Sequence, residues 1–220
     1  MEHLTIDGRI CHILRRSDGP WLYWLAQAHC EDEMERLNRY IRHRVKTPYN
    51  LAAMEARDWN RDYSPWPAQL SDGSCFAGEG EKTRQCLEKL VSCTGDGQTR
   101  CLGGYSLAGL FSLWTLCSGA PFDGVACCSG SLWYPGWHEW RETHTPDENC
   151  AVYLSLGKKE EKTRHVHMSQ VGDATRRQYE VLAGRHTTIL KWNDGGHFTE
   201  PLQRMAEGFA WLLEVKNTSA

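Results

Sequence analysis

The chain has 220 residues, 40% of them hydrophobic and 24% charged, with a formal net charge of −3 and a pI near 6.4. A single domain of this length buries about 70–75% of its unfolded surface, and a mildly acidic balance carries no electrostatic footprint for nucleic acid. No run approaches the roughly 18 apolar residues of a membrane span, and Met1 to Ile10 is polar and mixed rather than a basic start before an apolar core. The expectation is a soluble, cytoplasmic protein with no nucleic-acid or membrane partner.

Residues 1–27 hold two apolar runs, Ile10 to Leu14 and Trp21 to Ala26, separated by Ser17-Asp18-Gly19-Pro20. That tetrapeptide is turn chemistry, so the runs read as a pair of strands, the first antiparallel and at the sheet edge. From Glu31 to Val45, Met34, Leu37, Ile41 and Val45 recur at three- and four-residue spacing, which predicts an amphipathic helix. Tyr49 to Ala56 reads as a central strand. The segment after it, from Arg57 to Gly80, reads as a functional loop rich in aromatic and polar residues and pinned by Pro65 and Pro67. Helical spacing resumes from Glu81 to Val91, and Thr94 to Gln98 is a turn.

A short apolar lead-in, Arg100-Cys101-Leu102, then meets Gly103-Gly104-Tyr105-Ser106-Leu107-Ala108-Gly109, and a helical apolar pattern leaves it through Leu110, Phe111, Leu113, Trp114 and Cys117. Strand, sharp turn and helix with serine at the apex is the form of a nucleophile elbow. An exposed serine in a strained turn needs small neighbours two positions away on either side, which Gly104 and Ala108 provide. Gly124 to Cys128 is a continuous apolar run of the kind found in covered parallel strands. It opens into the aromatic loop Ser129-Gly130-Ser131-Leu132-Trp133-Tyr134-Pro135-Gly136-Trp137. Ser129 and Ser131 are rival nucleophiles that lack the strand–turn–helix setting. Ala151 to Leu156 is the next strand, Thr163 to Ala183 a polar helix, Thr187 to Trp192 a strand, and Pro201 to Val215 a closing helix. Alternation from residue 45 onward predicts one domain over 1–220, a mostly parallel, doubly wound sheet with helices on both faces and no large cap.

Serine chemistry needs a base and a group that orients it. His197 follows the last strand on the Gly195-Gly196 loop, where a base can reach across the sheet. For the acid that orients His197 the reading takes Glu160, just past the preceding strand, with Glu161 its immediate rival and Asp194 able to serve from the histidine loop. The ten cysteines, at 11, 30, 75, 86, 93, 101, 117, 127, 128 and 150, contain no C-x-x-C pair and read as free thiols used as small apolar residues. The nearest approach to a zinc pair, His165-Val166-His167, reads as surface histidines. Neither metal nor cofactor is expected.

The ordered set Asp58-Trp59-Asn60-Arg61-Asp62-Tyr63-Ser64-Pro65-Trp66-Pro67, Gly104-Tyr105-Ser106-Leu107-Ala108-Gly109, Ser129-Gly130-Ser131-Leu132-Trp133-Tyr134, Leu154-Ser155-Leu156-Gly157-Lys158-Lys159-Glu160 and Gly196-His197 resembles the esterase family of α/β-hydrolases that includes the S-formylglutathione hydrolases (esterase D) and the enterochelin esterases. The resemblance covers roughly residues 45–215. It departs from the family pattern at Ala108 and at the lysine pair before Glu160. It implies Ser106 as nucleophile, His197 as general base and a carboxylate near Glu160, although some enterochelin-esterase relatives work with a Ser–His dyad. The reading is thus a serine hydrolase of a small-molecule ester or thioester, acting through an acyl-enzyme, with a homo-oligomer possible. Leu107 and one of Trp59 or Asn60 would give the oxyanion-hole N–H groups, and Trp66, Trp133 and Trp137, together with Trp59, would line the substrate cleft. An acyltransferase on the same site, a non-catalytic binding protein on a hydrolase scaffold and, more distantly, a zinc or thiol enzyme are the alternatives.

Overall fold

The computed structural model describes residues 1–95, 98–146, 150–163 and 166–218, the Thr218 side chain excepted. Among the described residues, ten strands and seven α-helices follow one another as β1 (Glu2–Ile6), β2 (Arg9–Leu14), β3 (Trp21–Ala26), α1 (Glu31–Arg42), β4 (Asn50–Glu55), α2 (Trp59–Asp62), β5 (Ala68–Gln69), β6 (Cys75–Phe76), α3 (Gly80–Thr94), β7 (Arg100–Tyr105), α4 (Leu107–Cys117), β8 (Gly124–Cys128), α5 (Trp137–Thr143), β9 (Ala151–Gly157), α6 (Val171–Ala183), β10 (Thr187–Asn193) and α7 (Pro201–Thr218). Eight of the strands form one sheet in the order β1-β2-β4-β3-β7-β8-β9-β10. It is antiparallel from β1 through β2 to β4 and parallel from β4 onward.

The apolar runs account for this plan. Strands β3, β4, β8 and β9 are buried along their whole length, as parallel strands covered on both faces must be. The core accordingly divides into two layers. One lies under α3 and α4 and includes Tyr23, Leu102, Phe111 and Val152; the other lies under α1 and α7 and includes Leu37, Ala53, Met205 and Phe209. Helix α4 is buried at every position, which its apolar sequence LAGLFSLWTLC allows. All ten cysteines are free thiols, and all but Cys75 and Cys93 are buried. Burial pushes the thiols of Cys11 and Cys117 up to about 12, so they pack as inert apolar groups.

Several boundaries differ from the sequence reading. The runs 10–14 and 21–26 do not pair with each other: β2 lies between β1 and β4, and β3 lies between β4 and β7. The edge on the antiparallel side is β1, whose sequence EHLTI is exposed at its first four positions and carries no apolar run. The 57–80 loop contains α2 and a small antiparallel ribbon of β5 and β6. The helix expected from Thr163 begins at Val171, after a 3-10 turn at Met168–Gln170. His165 and residues 96–97 of the expected turn at 94–98 lie outside the described residues; His167 meets Ser71 and Trp133. Among the described residues there is no helix long and apolar enough to cross a membrane, and no inserted segment large enough to form a cap.

Candidate active site

The candidate groups converge because each follows the carboxyl end of a parallel strand: Ser106 follows β7, Ser129 and Ser131 follow β8, Glu160 follows β9 and His197 follows β10. Ligands gather at that end of an open α/β sheet. Ser106 sits at φ 59°, ψ −122°, a conformation costly for a side-chain-bearing residue. It is over-determined by its neighbours. Its N–H donates to the Cys128 carbonyl at 3.0 Å, and its own carbonyl accepts from Gly109, Leu110 and Ser131 at 3.0–3.1 Å. The turn closes so tightly that a Cβ on residue 104 would stand 2.2 Å from the Ala108 carbonyl oxygen. Alanine at 108 is tolerated because its methyl faces a residue that has no side chain.

His197 Nε2 lies 3.0 Å from Ser106 Oγ, and its Nδ1 lies 2.7 Å from Glu160 Oε2. A proton held on Nδ1 by the carboxylate leaves Nε2 free to accept the serine proton. The other carboxylate oxygen, Oε1, accepts from the Gly157 N–H at 2.7 Å, Ser129 Oγ at 2.8 Å and Arg204 Nη1 at 2.9 Å. Burial pushes the Glu160 carboxyl up, but the hydrogen bonds from His197, Gly157 and Ser129 outweigh it and hold it below the usual carboxylate range. A Cβ at residue 157 would meet Oε1 at 2.7 Å, so the glycine before the two lysines is what lets the carboxylate fold back over the strand end. Lys158 turns outward to Asp194 at 2.7 Å, and Lys159 is exposed.

The three carboxylates are thereby separated. Glu161 is engaged by Arg176 through both oxygens at 2.9 Å, and Asp194 is exposed beside Lys158. Only Glu160 of the three is hydrogen-bonded to His197. Arg204, on α7, ties the arrangement together from below and is 3% exposed. Besides Glu160, its guanidinium donates to Ser129 Oγ and Tyr105 Oη at 3.1 Å and to the Asp194 and Gly196 carbonyls at 2.9 and 3.0 Å. Tyr105 Oη in turn donates to the His197 carbonyl at 2.5 Å. Acid and histidine loop are therefore gripped by one cation. Sequence spacing placed Arg204 merely on a helix; its burial depends on a tertiary contact that no local pattern carries.

Two cavities flank Ser106 and His197, with the 90%-exposed ring of Phe198 on the border of both. One, of about 280 Å³, is mostly apolar, walled by Trp24, Leu25, Trp59, Leu202 and Met205, with Gln27 and Glu33 as its polar groups. The other, of about 320 Å³, is bounded by Ser131, Trp133, Lys159, Met168 and Val171. Trp59 and Trp133 thus reach the cleft. Trp66 and Trp137 do not: Trp66 donates to the Pro135 carbonyl at 2.8 Å and packs on Tyr134 and Trp140. Trp137 is buried with its Nε1 on Gln178 at 3.1 Å. Trp137 is core beneath α5, and the half-buried Trp66 packs against it.

The oxyanion donors divide similarly. Leu107 opens α4, where the N–H has no intrahelical acceptor. Asn60 is exposed, and its carbonyl accepts from Ser64 Oγ at 2.6 Å; it borders neither cavity. Strand β4, which precedes Trp59 and Asn60, is separated from β7 by β3. The pairing of Trp24 with Gly103, carried three residues on, instead sets Gln27 level with Ser106. The expectation drew the second donor from the loop after the 49–56 strand, whereas the strand beside β7 is β3.

No family model matches the sequence, and no curated protein matches it at the sequence level. Solved structures do match the fold. Siderophore hydrolase EstA from Aspergillus nidulans aligns over 97% of this chain and 93% of its own, with TM-score 0.76 and 16% identity. An IroE-like serine hydrolase from Shewanella oneidensis aligns over 97% and 80%, with TM-score 0.78 and 14% identity. The enterochelin esterase of Shigella flexneri aligns over 98% of this chain but 59% of its own, with TM-score 0.72 and 16% identity. The chain has the α/β-hydrolase fold, and these neighbours in fold are esterases and hydrolases.

Proposed function

We propose that the chain is a serine esterase that cleaves a carboxylic ester through an acyl-enzyme on Ser106. The observation that carries the reading is the continuous hydrogen-bonded line Ser106–His197–Glu160 at 3.0 and 2.7 Å, opening on two cavities large enough for the two sides of an ester. His197 Nε2 takes the Ser106 proton as Oγ attacks the substrate carbonyl. The tetrahedral oxyanion is held by the Leu107 N–H and, by the strand register, the Gln27 N–H in place of Trp59 or Asn60. Each such donor is worth about 3–4 kcal/mol of barrier. His197 then returns the proton to the leaving alkoxide, and a water deprotonated by the same nitrogen releases the acid. Glu160 stays ionised throughout and stabilises the imidazolium that forms.

The apolar cavity beside Trp24 and Trp59 suits an aliphatic or aromatic arm, and the Lys159 side a polar one. Siderophore-type esters are the first substrates to test, given what the neighbouring structures are called. The test is initial rates on p-nitrophenyl esters of rising acyl length, S-formylglutathione and a siderophore ester. Ser106→Ala and His197→Ala should each lose about 10⁴-fold or more in kcat, and the double variant should lose little beyond either. Losses that multiply in the double variant, or substantial turnover in Ser106→Ala, would overturn the assignment.

A further inference from the structure

A buried polar cluster that this chemistry does not use lies where β2, β4 and the start of α1 meet. Strand pairing sets His3 opposite His12 and His12 opposite Ala53, so Glu55, two residues further along β4, shares a sheet face with His12. Cys30, the residue before α1, closes over the same face among Met34, Leu37 and Ala53. His12 and Cys30 are wholly inaccessible and Glu55 is 4% exposed. One ligand atom from each lies within 4.8 Å of the other two.

We propose that His12, Cys30 and Glu55 form a binding site for a borderline-soft divalent transition metal of the Zn²⁺ class. Thiolate, imidazole and carboxylate are the donor set that zinc prefers, at bond lengths of about 2.0–2.3 Å, which require donors roughly 3.3–3.8 Å apart. His12 Nε2 already points at Glu55 Oε1, 2.8 Å away, and its other nitrogen, Nδ1, lies 3.0 Å from His3 Nδ1. A metal-binding imidazole characteristically gives its second N–H to such an orienting partner. Glu55 is additionally fixed by the Cys30 N–H at 3.1 Å.

Charge supports the same conclusion. A thiolate, a carboxylate and a neutral imidazole around one divalent cation sum to zero, the balance a fully buried site requires. Binding displaces the Cys30 thiol proton to solvent, plus one from His12 where that ring is imidazolium; no electrons move. The three ligands leave one tetrahedral position for water or another small ligand. His3 is exposed on the edge strand β1, so the cluster is one side chain from solvent. Residues 12, 30 and 55 are too far apart in sequence for ligand spacing to reveal them.

The test uses the full chain without a polyhistidine tag, stripped with chelator and titrated with Zn²⁺ and with Co²⁺. One equivalent should bind with proton release, and Co²⁺ should give the near-ultraviolet thiolate charge-transfer band. Cys30→Ser should lose that band, Cys75→Ser and Cys93→Ser should keep it, and His3→Ala should weaken binding about 10–100-fold. His3 is exposed, so that variant remains a valid test even where Cys30→Ser fails to fold. Absence of stoichiometric binding, a band that survives Cys30→Ser, or affinity unchanged in His3→Ala would overturn the proposal. The readouts are metal content and a spectrum, so the result stands apart from the esterase reading.

Discussion

At the scale of single residues, what distinguishes Glu160 from its neighbour is direction. Glu160 turns in to His197, Gly157, Ser129 and Arg204, whereas Glu161 turns out to Arg176. Glutamine at 160 keeps the shape but cannot stabilise an imidazolium, and it favours the wrong histidine tautomer. Glu160→Gln is therefore expected to lower kcat by about 10⁴-fold, as loss of the acid does in other triads, while Glu161→Gln stays within a few-fold of wild type. Steady-state kinetics on one good ester checks both, and equal effects at the two positions would contradict the geometry. The sequence favoured Glu160 over Glu161 and Asp194 from its place three residues after Gly157, but it carried nothing about what holds the carboxylate there. The choice depends on which way a chain turns at Gly157, and on a guanidinium arriving from α7 at Arg204.

At the scale of elements, the elbow between β7 and α4 was legible because its steric demand is local: small residues must flank the apex at fixed offsets. That demand is unequal on the two sides. A methyl at 104 would collide with the Ala108 backbone, so Gly104→Ala should cost at least about 1–3 kcal/mol and lower Tm by several degrees, with loss of activity as Ser106 is displaced. Ala108→Gly restores the commoner motif and should stay within about 1 kcal/mol of wild type and remain active. Thermal melts with matched kinetics check the pair, and a fully active, fully stable Gly104→Ala would refute the steric account. The proposed shift of the second oxyanion donor from Trp59 or Asn60 to Gln27 has the opposite cause. Whether the strand beside β7 is β3 or β4 is set by long-range pairing, and an apolar run carries no information about its neighbour. The same ambiguity hid the role of Trp66 and Trp137, since tryptophans in a loop read alike whether they face a cleft or the core.

At the scale of the whole molecule, the alternation of strand and helix from residue 45 fixed the parallel body of the sheet, and continuous apolar runs identified its covered strands. The antiparallel margin was less visible, because β1 is polar and exposed. That margin is joined to the cleft by a buried ion pair. Arg9 of β2 meets Asp62 at the end of α2, with both side chains inaccessible, and Asp62 also accepts the N–H groups of Arg57 and Asp58 at 2.8 and 3.1 Å. Burial raises the Asp62 carboxyl, but Arg9, Arg61 and the backbone donors prevail and hold it at about 2. A carboxyl depressed in the folded state stabilises the fold above its unfolded value near 4 and loses that contribution as pH falls towards 2. Asp62→Asn strands the Arg9 charge and should cost about 3–5 kcal/mol at neutral pH. Its stability should also fall less steeply than wild type between about pH 4 and pH 2. Denaturant titrations across that window check this, and parallel curves for the two proteins would contradict it. The central claim, that His197 activates Ser106 as a nucleophile, is tested most directly by reaction with a fluorophosphonate followed by intact-mass and peptide mapping. One adduct per chain is expected on the peptide carrying Ser106, absent in Ser106→Ala and formed orders of magnitude more slowly in His197→Ala. No adduct on the folded wild type, or an adduct on Ser129 or Ser131 instead, would contradict it.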